Sequence, residues 1–524
     1  MTKKILITDP LSPAGIEVLK NAGLEVIEIL DQDAEKMKVA LPEVEGWIIR
    51  SGTKIGAEAL SKASSLKAIG RAGVGVDNID IAAATSHGVV VMNTPGGNTV
   101  SAAEHTIALM MSLARNIPAG DSSMKAGRWD RKTLVGTELK GKTLGLIGLG
   151  RIGQEVARRA LGLQMKVIGY DPYVAQDQLV VKDIEVKSLE DVLVGSDVIS
   201  LHLPRTEDTL NLISTPELKK MKSSATIINC ARGGLVNEGD LAAALNEGII
   251  AGAAVDVYTS EPAVDNPLVT ANNIVLTPHL GASTREAGEN VAVQVATQLK
   301  DYLISGQLSN TINLPISDMS ILKTIGGSLE LAYKLGSLQH PLHKAGIKSI
   351  RLSYNGDSKH IKPLLYSAFE GIMHDRFDGV INLINAKSVA ESRGIALSTL
   401  SDSKLSQVQN VIAVKVESDG GADWELQGYL DQHGGRRLIR VNEFHVDVLL
   451  DGPLLLILNH DVPGVVGVVG TLLGNNAVNI AEYSLSRLEG DTALSLIKCD
   501  SAPTDDIIEK LKSISSIKMC YFLG

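Results

Sequence analysis

The sequence predicts a multi-unit α/β chain, and three stretches carry that reading. Residues 142–153, KTLGLIGLGRIG, join an unbroken apolar run to glycines in G-x-G-x-x-G spacing, with a helical apolar repeat beyond them. Residues 1 to about 97 alternate strand-like and helix-like segments, the pattern of βα units around a parallel sheet. From Leu454 onward the order strand, helix, strand, strand, helix, strand reads as a ferredoxin-like βαββαβ unit. The 524 residues exceed one core, and length alone suggests about three or four domains.

Composition narrows the classes. Hydrophobic residues make up 44%, enough for several cores, and four Phe and three Trp leave those cores mainly aliphatic. The opening MTKKILITDP runs into a strand without a signal-peptide core, and no apolar run is long enough to span a bilayer. A cytoplasmic protein with no membrane partner is therefore expected. Cys230, Cys499 and Cys520 lack C-x-x-C spacing, which predicts neither a disulfide framework nor a zinc site, and no metal is expected. The net charge of −10 argues against a nucleic-acid surface. An anionic substrate must then be met by local positive charge.

In the first segment, Ile5-Leu6-Ile7 precedes a helix over about 12–22, and Trp47-Ile48-Ile49 ends in Arg50-Ser51-Gly52-Thr53. The run at 66–69 leads into Gly70-Arg71-Ala72-Gly73-Val74-Gly75-Val76-Asp77-Asn78. Ligands collect at the carboxyl ends of strands in open α/β sheets. Arg50 and Arg71 thus form a candidate anion pocket beside glycine amides, with surface ion pairing as the alternative. Apolar residues recur helically over 98–117 (Ala102, Ile107, Ala108, Met111, Leu113), a long helix suited to a hinge and a subunit contact. Residues 118–140, with Trp129 among charges, read as a polar surface crossing.

The glycine motif follows. Leu144, Leu146, Ile147 and Leu149 suit a strand buried on both faces. Gly148 permits the tight turn and Gly150 lets backbone approach a pyrophosphate. Gly153 lets helix pack on strand, with the helix N-terminus facing the anion. A second apolar run over 165–170 ends in Asp171, where a carboxylate suits the adenosine ribose hydroxyls. Pro172 and Tyr173 come next rather than Arg, so NAD is expected over NADP. Runs at 198–204, 226–230 and 251–256 read as further buried strands whose loops meet the cofactor.

Three of the later loops hold side chains capable of chemistry: Arg232 in NCARGG, Glu261 in DVYTSEP and His279 in TPHLGA. An imidazole can take a hydroxyl proton as hydride leaves the same carbon, and a neighbouring carboxylate can orient the ring. A guanidinium can hold a carboxylate in two bonds and polarise the reacting oxygen. Each alone also has a plain structural reading, as a hydrogen-bonded loop residue or a turn cap.

Taken together, RAGVGVDN (71–78), GLGRIG (148–153), NCARGG (229–234), DVYTSEP (256–262) and TPHLGA (277–282) resemble the D-2-hydroxyacid dehydrogenases over about residues 1–318. The resemblance implies a Rossmann-like nucleotide domain, 98–280, inserted in a flavodoxin-like substrate domain, 1–97 and 281–318, with the active site in the cleft. It implies Arg232 as carboxylate binder, Glu261 as orienting acid and His279 as acid/base. Formate dehydrogenase relatives carry Gln where Glu261 stands. The resemblance also implies NAD contacts at Gly148, Gly150, Arg151, Ile152, Gly153, Asp171, Leu203, Cys230, Ala231, Arg232, Asp256, His279, Gly281 and Ala282. Substrate contacts are implied at Arg50, Ser51, Arg71, Gly73, Val74 and Gly75. Leu203 replaces the Thr of many relatives, which a backbone contact tolerates and a hydroxyl contact does not.

Residues 283–304 read as one helix leading to strand-like residues near Ile312, and 314–318 end the catalytic part in a linker. Residues 319–446 read as an α+β domain with strands near 347–354, 411–416, 425–430 and 437–441 and a helix over 361–373. The arginine-rich stretch 434–440 reads as a charged hairpin ahead of a phosphate site. The last segment, 447–524, resembles an ACT domain. That implies an amino-acid effector, L-serine, at Asn459, Asp461 and Asn479 between paired copies, and hence a homodimer or homotetramer. Relatives often carry His where Asn459 stands. The two extra C-terminal domains resemble the long members of the family, which implies NAD-dependent oxidation of 3-phospho-D-glycerate to 3-phosphooxypyruvate, the first step of L-serine synthesis. The rivals are a glyoxylate or hydroxypyruvate reductase with the same catalytic groups and an NADH-sensing corepressor built on the same core.

Overall fold

The structure, a computed structural model, describes residues 2–314, 320–343, 346–374, 376, 380–420 and 422–523. The linker expected at 316–318 lies outside them.

Strands β1 (Lys4–Ile7), β2 (Glu25–Glu28), β3 (Gly46–Ile49), β4 (Ala68–Arg71) and β5 (Val90–Asn93) form an all-parallel sheet in the order β2-β1-β3-β4-β5. This is the flavodoxin-like order, whose switch point lies between β1 and β3. The central strand β3 is buried along its whole length, and Ile5, Leu6 and Ile7 of β1 beside it are buried too, because both faces are covered. One cover is the Arg285–Ser305 helix, which begins where Thr284 Oγ1 accepts from Ala287 N and ends at Gly306, φ 70°. Gly46 and Gly70 let it approach closely, since a Cβ on either would lie 2.8 or 2.4 Å from a Leu299 methyl. Near Ile312 there is a single antiparallel bridge, Met92 to Thr311, rather than the expected strand.

The second sheet contains β6 (Thr143–Ile147), β7 (Lys166–Tyr170), β8 (Ile184–Val186), β9 (Val198–Leu201), β10 (Thr226–Asn229), β11 (Gly252–Val255) and β12 (Ile274–Leu276). All are parallel, in the order β12-β11-β10-β9-β6-β7-β8. Counted from β6 this is the Rossmann order with one added strand, reversing between β6 and β9. The Thr99–Ala114 and Arg151–Gly162 helices share one core on it through Ala103, Leu109, Val156 and Ala160. The expected polar crossing contains a helix, Ile117–Lys125. Its apolar residues Ile117 and Met124 are 58% and 57% exposed, so no buried face marks it in the sequence. Pro118 in its first turn and the Ser123 hydroxyl on Asp130 (2.7 Å) define it instead.

The third sheet contains β13 (Ile347–Tyr354), β14 (Ala396–Ser401), β15 (Ile412–Ser418), β16 (Trp424–Leu430), β17 (Arg436–Val441) and β18 (Phe444–Leu449), in the order β14-β13-β15-β16-β17-β18. Only β13 and β14 pair in parallel. Strand β18 runs through residue 446, so a boundary placed there would cut a paired strand; Asp451-Gly452 is the nearest break. The fourth sheet, β19 (Leu454–His460), β20 (Ile480–Arg487), β21 (Thr492–Cys499) and β22 (Ile517–Leu523), is antiparallel in the order β20-β21-β19-β22 with two helices, the ferredoxin-like arrangement. Its second face is buried as well: Leu454, Leu494 and Leu523 share one apolar core with Leu331, Phe369 and Leu426 of the third unit. The third unit in turn docks on the first sheet, where Ile384 enters the core beside Met92 and Asn382 Nδ2 donates to Gly88 O (2.8 Å). Among the described residues no helix is long and apolar enough to cross a membrane.

Candidate active site

The glycine turn after β6 packs against the loop after β9, at the switch point. Gly148 stands at φ 104°, and a Cβ there would lie 2.5 Å from His202 O and 3.1 Å from Leu203 Cδ2. A Cβ at Gly153 would overlap Gly148 O at 2.2 Å, whereas Gly150 faces open space. Backbone is thus packed tightly behind the turn and left bare in front of it, which fits a pyrophosphate. Arg151 and Ile152 open the following helix, and Arg151 Nη1 comes within 3.7 Å of where a Cβ on Gly96 would be. At the end of β7, Asp171 Oδ2 accepts from Leu149 N and Oδ1 from Tyr173 N, both 2.9 Å. The carboxylate is fixed at the crevice with lone pairs to spare for ribose hydroxyls. After β10, Ala231 N bonds Asn229 Oδ1 (3.1 Å), and burial pushes the Cys230 thiol up to about 12, so it stays protonated. Behind the turn, His202 Nε2 meets Ser200 Oγ at 2.9 Å, and burial pushes this imidazole down to about 4.

The first sheet presents its own switch point to the same cleft. Asp9, after β1, accepts from Arg50 N (2.6 Å) and Thr53 N (3.2 Å), which fixes the Arg50-Ser51 loop after β3. Arg71 ends β4 and folds back so that Nη1 donates to Ala72 O (2.8 Å). A Cβ on Gly73 would collide with that guanidinium at 1.8 Å. Val74 O accepts from Asn93 Nδ2 (2.6 Å), and a Cβ on Gly75 would lie 2.3 Å from Arg232 Nη2. Arg232, from the second sheet, therefore reaches the first. Burial, then Arg232, then Arg50 push Arg71 down to about 10, so three guanidiniums crowd one place with Asp9 and Asp77 as partial counter-charges. Among the described residues, buried side-chain atoms without a hydrogen-bond partner belong to Arg71, Thr94, Asn98, Thr99 and Gln298. Arg71 belongs to this cluster, and Thr94 N donates to Gly73 O beside it (3.0 Å), so polar groups without partners stand where a polar substrate would be met.

The third component is the His279 loop. His279 Nδ1 lies 2.8 Å from Glu261 Oε2, and Glu261 Oε1 accepts from Tyr258 N (3.0 Å). Both members of the pair remain accessible, at 46% and 37% side-chain exposure. Asp256 is fully buried beneath them and accepts from Thr277 Oγ1 (2.5 Å), Leu280 N (2.7 Å) and Gly281 N (2.8 Å). Burial alone would raise the Asp256 carboxyl, but these bonds and one from His105 hold it below the usual carboxylate range. Asp256 thus shapes the loop that leads into Gly281 and Ala282, and faces inward. Tyr258 donates its hydroxyl to Thr277 O (3.0 Å), and a Cβ on Gly233 would overlap Tyr258 O at 1.9 Å, so the Arg232 and Glu261 loops interlock.

Several groups went unassigned in the sequence. Asp77 pairs with Arg232 (Nε to Oδ2, 3.3 Å) and competes for the guanidinium assigned to a substrate carboxylate. Asp9 and His105 gain their roles through contacts distant in sequence, and Tyr258 partly so, through Thr277; Asp9 also carries a local signal, its place just beyond β1.

The residues expected to bind an effector are not brought into one open site. Asn459 lies within β19, not in a loop, and is 2% exposed, its Nδ2 donating to His460 O (2.7 Å). The apolar run of β19 continues through it, so its amide turns inward. Asp461 pairs with Arg487 (3.3 Å), and exposed Asn479 donates to Asp500 Oδ2 (2.7 Å). In the hairpin at 434–440, Arg436 pairs with Glu330, Arg437 with Asp447, and Arg440 Nε donates to Asn442 O (2.8 Å), the arrangement of a charged hairpin.

Known proteins resemble this chain in sequence and fold. Residues 107–281 match the family model of the D-isomer specific 2-hydroxyacid dehydrogenase NAD binding domain, and residues 324–442 that of the D-3-phosphoglycerate dehydrogenase intervening domain. The D-3-phosphoglycerate dehydrogenases of Archaeoglobus fulgidus and Bacillus subtilis are each 38% identical to the chain over 98% of both partners. A glyoxylate reductase from Paecilomyes thermophila has a solved structure with a TM-score of 0.55 and 30% identity, covering 59% of this chain and 98% of its own. That likeness spans little more than the first two sheets, whereas the first two relatives match nearly the whole length, third and fourth units included. The chain belongs to the D-3-phosphoglycerate dehydrogenase family, within the D-isomer specific 2-hydroxyacid dehydrogenases.

Proposed function

We propose that the protein oxidises 3-phospho-D-glycerate to 3-phosphooxypyruvate with NAD, the first step of L-serine synthesis. The observation that carries this reading is the His279–Glu261 pair at 2.8 Å, open to the same cleft as three crowded guanidiniums. Ionised Glu261 only accepts, so the Nδ1 proton of His279 points to it and Nε2 presents a free lone pair. His279 Nε2 takes the C2 hydroxyl proton, and Glu261 stabilises the imidazolium that results. NAD held in this crevice would supply the hydride acceptor for the same carbon. Arg232 exchanges Asp77 for the substrate carboxylate, and Arg50 and Arg71 hold the phosphate, with Ser51 and the amides of Gly73, Val74 and Gly75 beside them. The bare turn at Gly150, the helix start at Arg151 and Ile152, and the carboxylate of Asp171 would hold the cofactor, with Leu203, Cys230, Ala231, Gly281 and Ala282 beside them.

A coupled NADH assay with phosphoglycerate, hydroxypyruvate and glyoxylate in parallel tests this reading. Preference for phosphoglycerate is expected; preference for either unphosphorylated acid would make the protein a reductase of small 2-oxo acids, and turnover of none a binding protein. We further propose that the protein works in the cytoplasm as a homodimer or homotetramer, with four domains divided as the sheets are. L-serine is proposed to act on the fourth unit at Asp461 and Asn479, supported by the βαββαβ order and the exposure of Asn479. Calorimetry with L-serine on the intact chain and on Asn479→Ala tests this, and absence of heat at millimolar serine would remove it.

A further inference from the structure

Beneath the His279 loop lies a histidine that none of these steps uses. His105 projects from the Thr99–Ala114 helix, and its Nε2 is 3.2 Å from both Asp256 Oδ1 and Thr277 Oγ1. The other bonds of the Asp256 carboxylate go to the stretch that carries His279, and His279 N itself donates to Asp256 O (2.8 Å). His279 stands at φ 54°, a left-handed backbone that a non-glycine residue keeps only where its surroundings impose it. Ser101, one turn before His105, meets Thr284 Oγ1 at 2.7 Å, so the helix grips the loop at both of its ends. The Thr277 hydroxyl donates to Asp256, and a carboxylate only accepts. The proton between His105 and these two oxygens therefore sits on Nε2, which makes His105 a donor to both.

We infer that His105 is a positioning residue for the reaction: through Asp256 and Thr277 it fixes the loop that sets His279 against Glu261. This rests on the reading of His279 as proton acceptor. It also ties that loop to the first helix of the crossover from the first sheet to the second. The other ionisable groups facing Asp256 are the Cys230 thiol and the Tyr258 hydroxyl, both pushed up to about 12 by burial. Neither titrates in the range where the enzyme would be assayed, and both variants remove the His105 imidazole, so a difference in pH profile between His105→Ala and His105→Gln reports the His279–Glu261 pair.

The test compares the full-length wild type, His105→Ala and His105→Gln in NAD-dependent oxidation of phosphoglycerate from about pH 6 to 9. His105→Ala is expected to lower kcat roughly tenfold, as small misplacements of a reacting group do, and to displace the acid limb of the kcat profile. KM for phosphoglycerate should stay within about twofold, since binding is assigned to the arginines. His105→Gln, whose Nε2 can donate from a similar place, should recover most of the rate. Wild-type kcat and acid limb in His105→Ala would overturn the inference. Equal losses in both variants, with a matching fall in Tm, would overturn it too, because they describe packing alone. If the wild type turns over hydroxypyruvate and not phosphoglycerate, the substrate reading fails, and the same comparison run with hydroxypyruvate still decides on His105.

Discussion

A single proton is carried by few atoms here. Because Glu261 engages Nδ1 of His279, only Nε2 faces the cleft as a base, and no other imidazole there can replace it: His202 is buried and held neutral, and His105 is turned to Asp256. Replacing His279 by Ala should therefore lower kcat by about two orders of magnitude or more, the range for a general acid/base, while NADH titration still shows binding. A folded variant with near-normal turnover would remove His279 from the reaction. Asp77 gives the opposite kind of prediction. It pairs with Arg232, so Asp77→Asn should lower KM for phosphoglycerate severalfold with kcat little changed. An increase in KM would mean that Asp77 orients Arg232 rather than competing for it.

Elements place these atoms, and two glycines show how tightly. Gly148→Ala would combine a left-handed backbone with a Cβ 2.5 Å from His202 O, a strain of roughly 1–3 kcal/mol. A lower Tm and weaker NADH binding together are the expected result, and unchanged NADH affinity would detach the turn from the cofactor. Gly233→Ala would push the Arg232 loop off Tyr258, and kcat/KM should fall with NADH affinity largely kept. The βαβ unit from β6 to Asp171 was legible because its cause is local: unbroken apolar strands, a glycine turn and an acid at fixed spacing. The helix at 117–125 was not, since its apolar residues face solvent and leave no periodic signature. Asn459 misled for a related reason. A polar residue after an apolar run reads as a strand end, yet β19 continues and buries the amide. The roles of His105, Asp9 and Asp77 depend on partners far away in the chain, which spacing does not encode.

Over the whole molecule the four sheets form a continuous train: the third docks on the first through Ile384 and Asn382, and shares a core with the fourth. Its units should respond differently to acid. In the second sheet His202 is pushed down to about 4, so the unfolded state binds more protons between there and the ordinary value of 6.5. That unit should lose stability as pH falls through this window and be flat above it. In the third unit His343, pushed down to about 4 by burial and then Arg376, has the same sign. Glu370, pushed up to about 7 by burial against His374, has the reverse: its contribution is lost as pH rises from 4.5 toward 7. The two should nearly cancel there. Hydrogen exchange at matched intrinsic rates, about pH 5 (inside the His202 window) against about pH 7 (above it), should show the second sheet loosening on acidification and the third unit little changed. Equal loosening of both would contradict these assignments. The central claim is that this cleft oxidises a phosphorylated 2-hydroxy acid selected by its arginines. The most direct measurement is kcat/KM for NAD-dependent oxidation of phosphoglycerate and of its unphosphorylated counterpart, D-glycerate, on the wild type, Arg50→Ala and Arg71→Met. The account predicts that the wild type prefers phosphoglycerate and that each substitution erases this preference by raising KM for phosphoglycerate alone; equal losses on both substrates would contradict it.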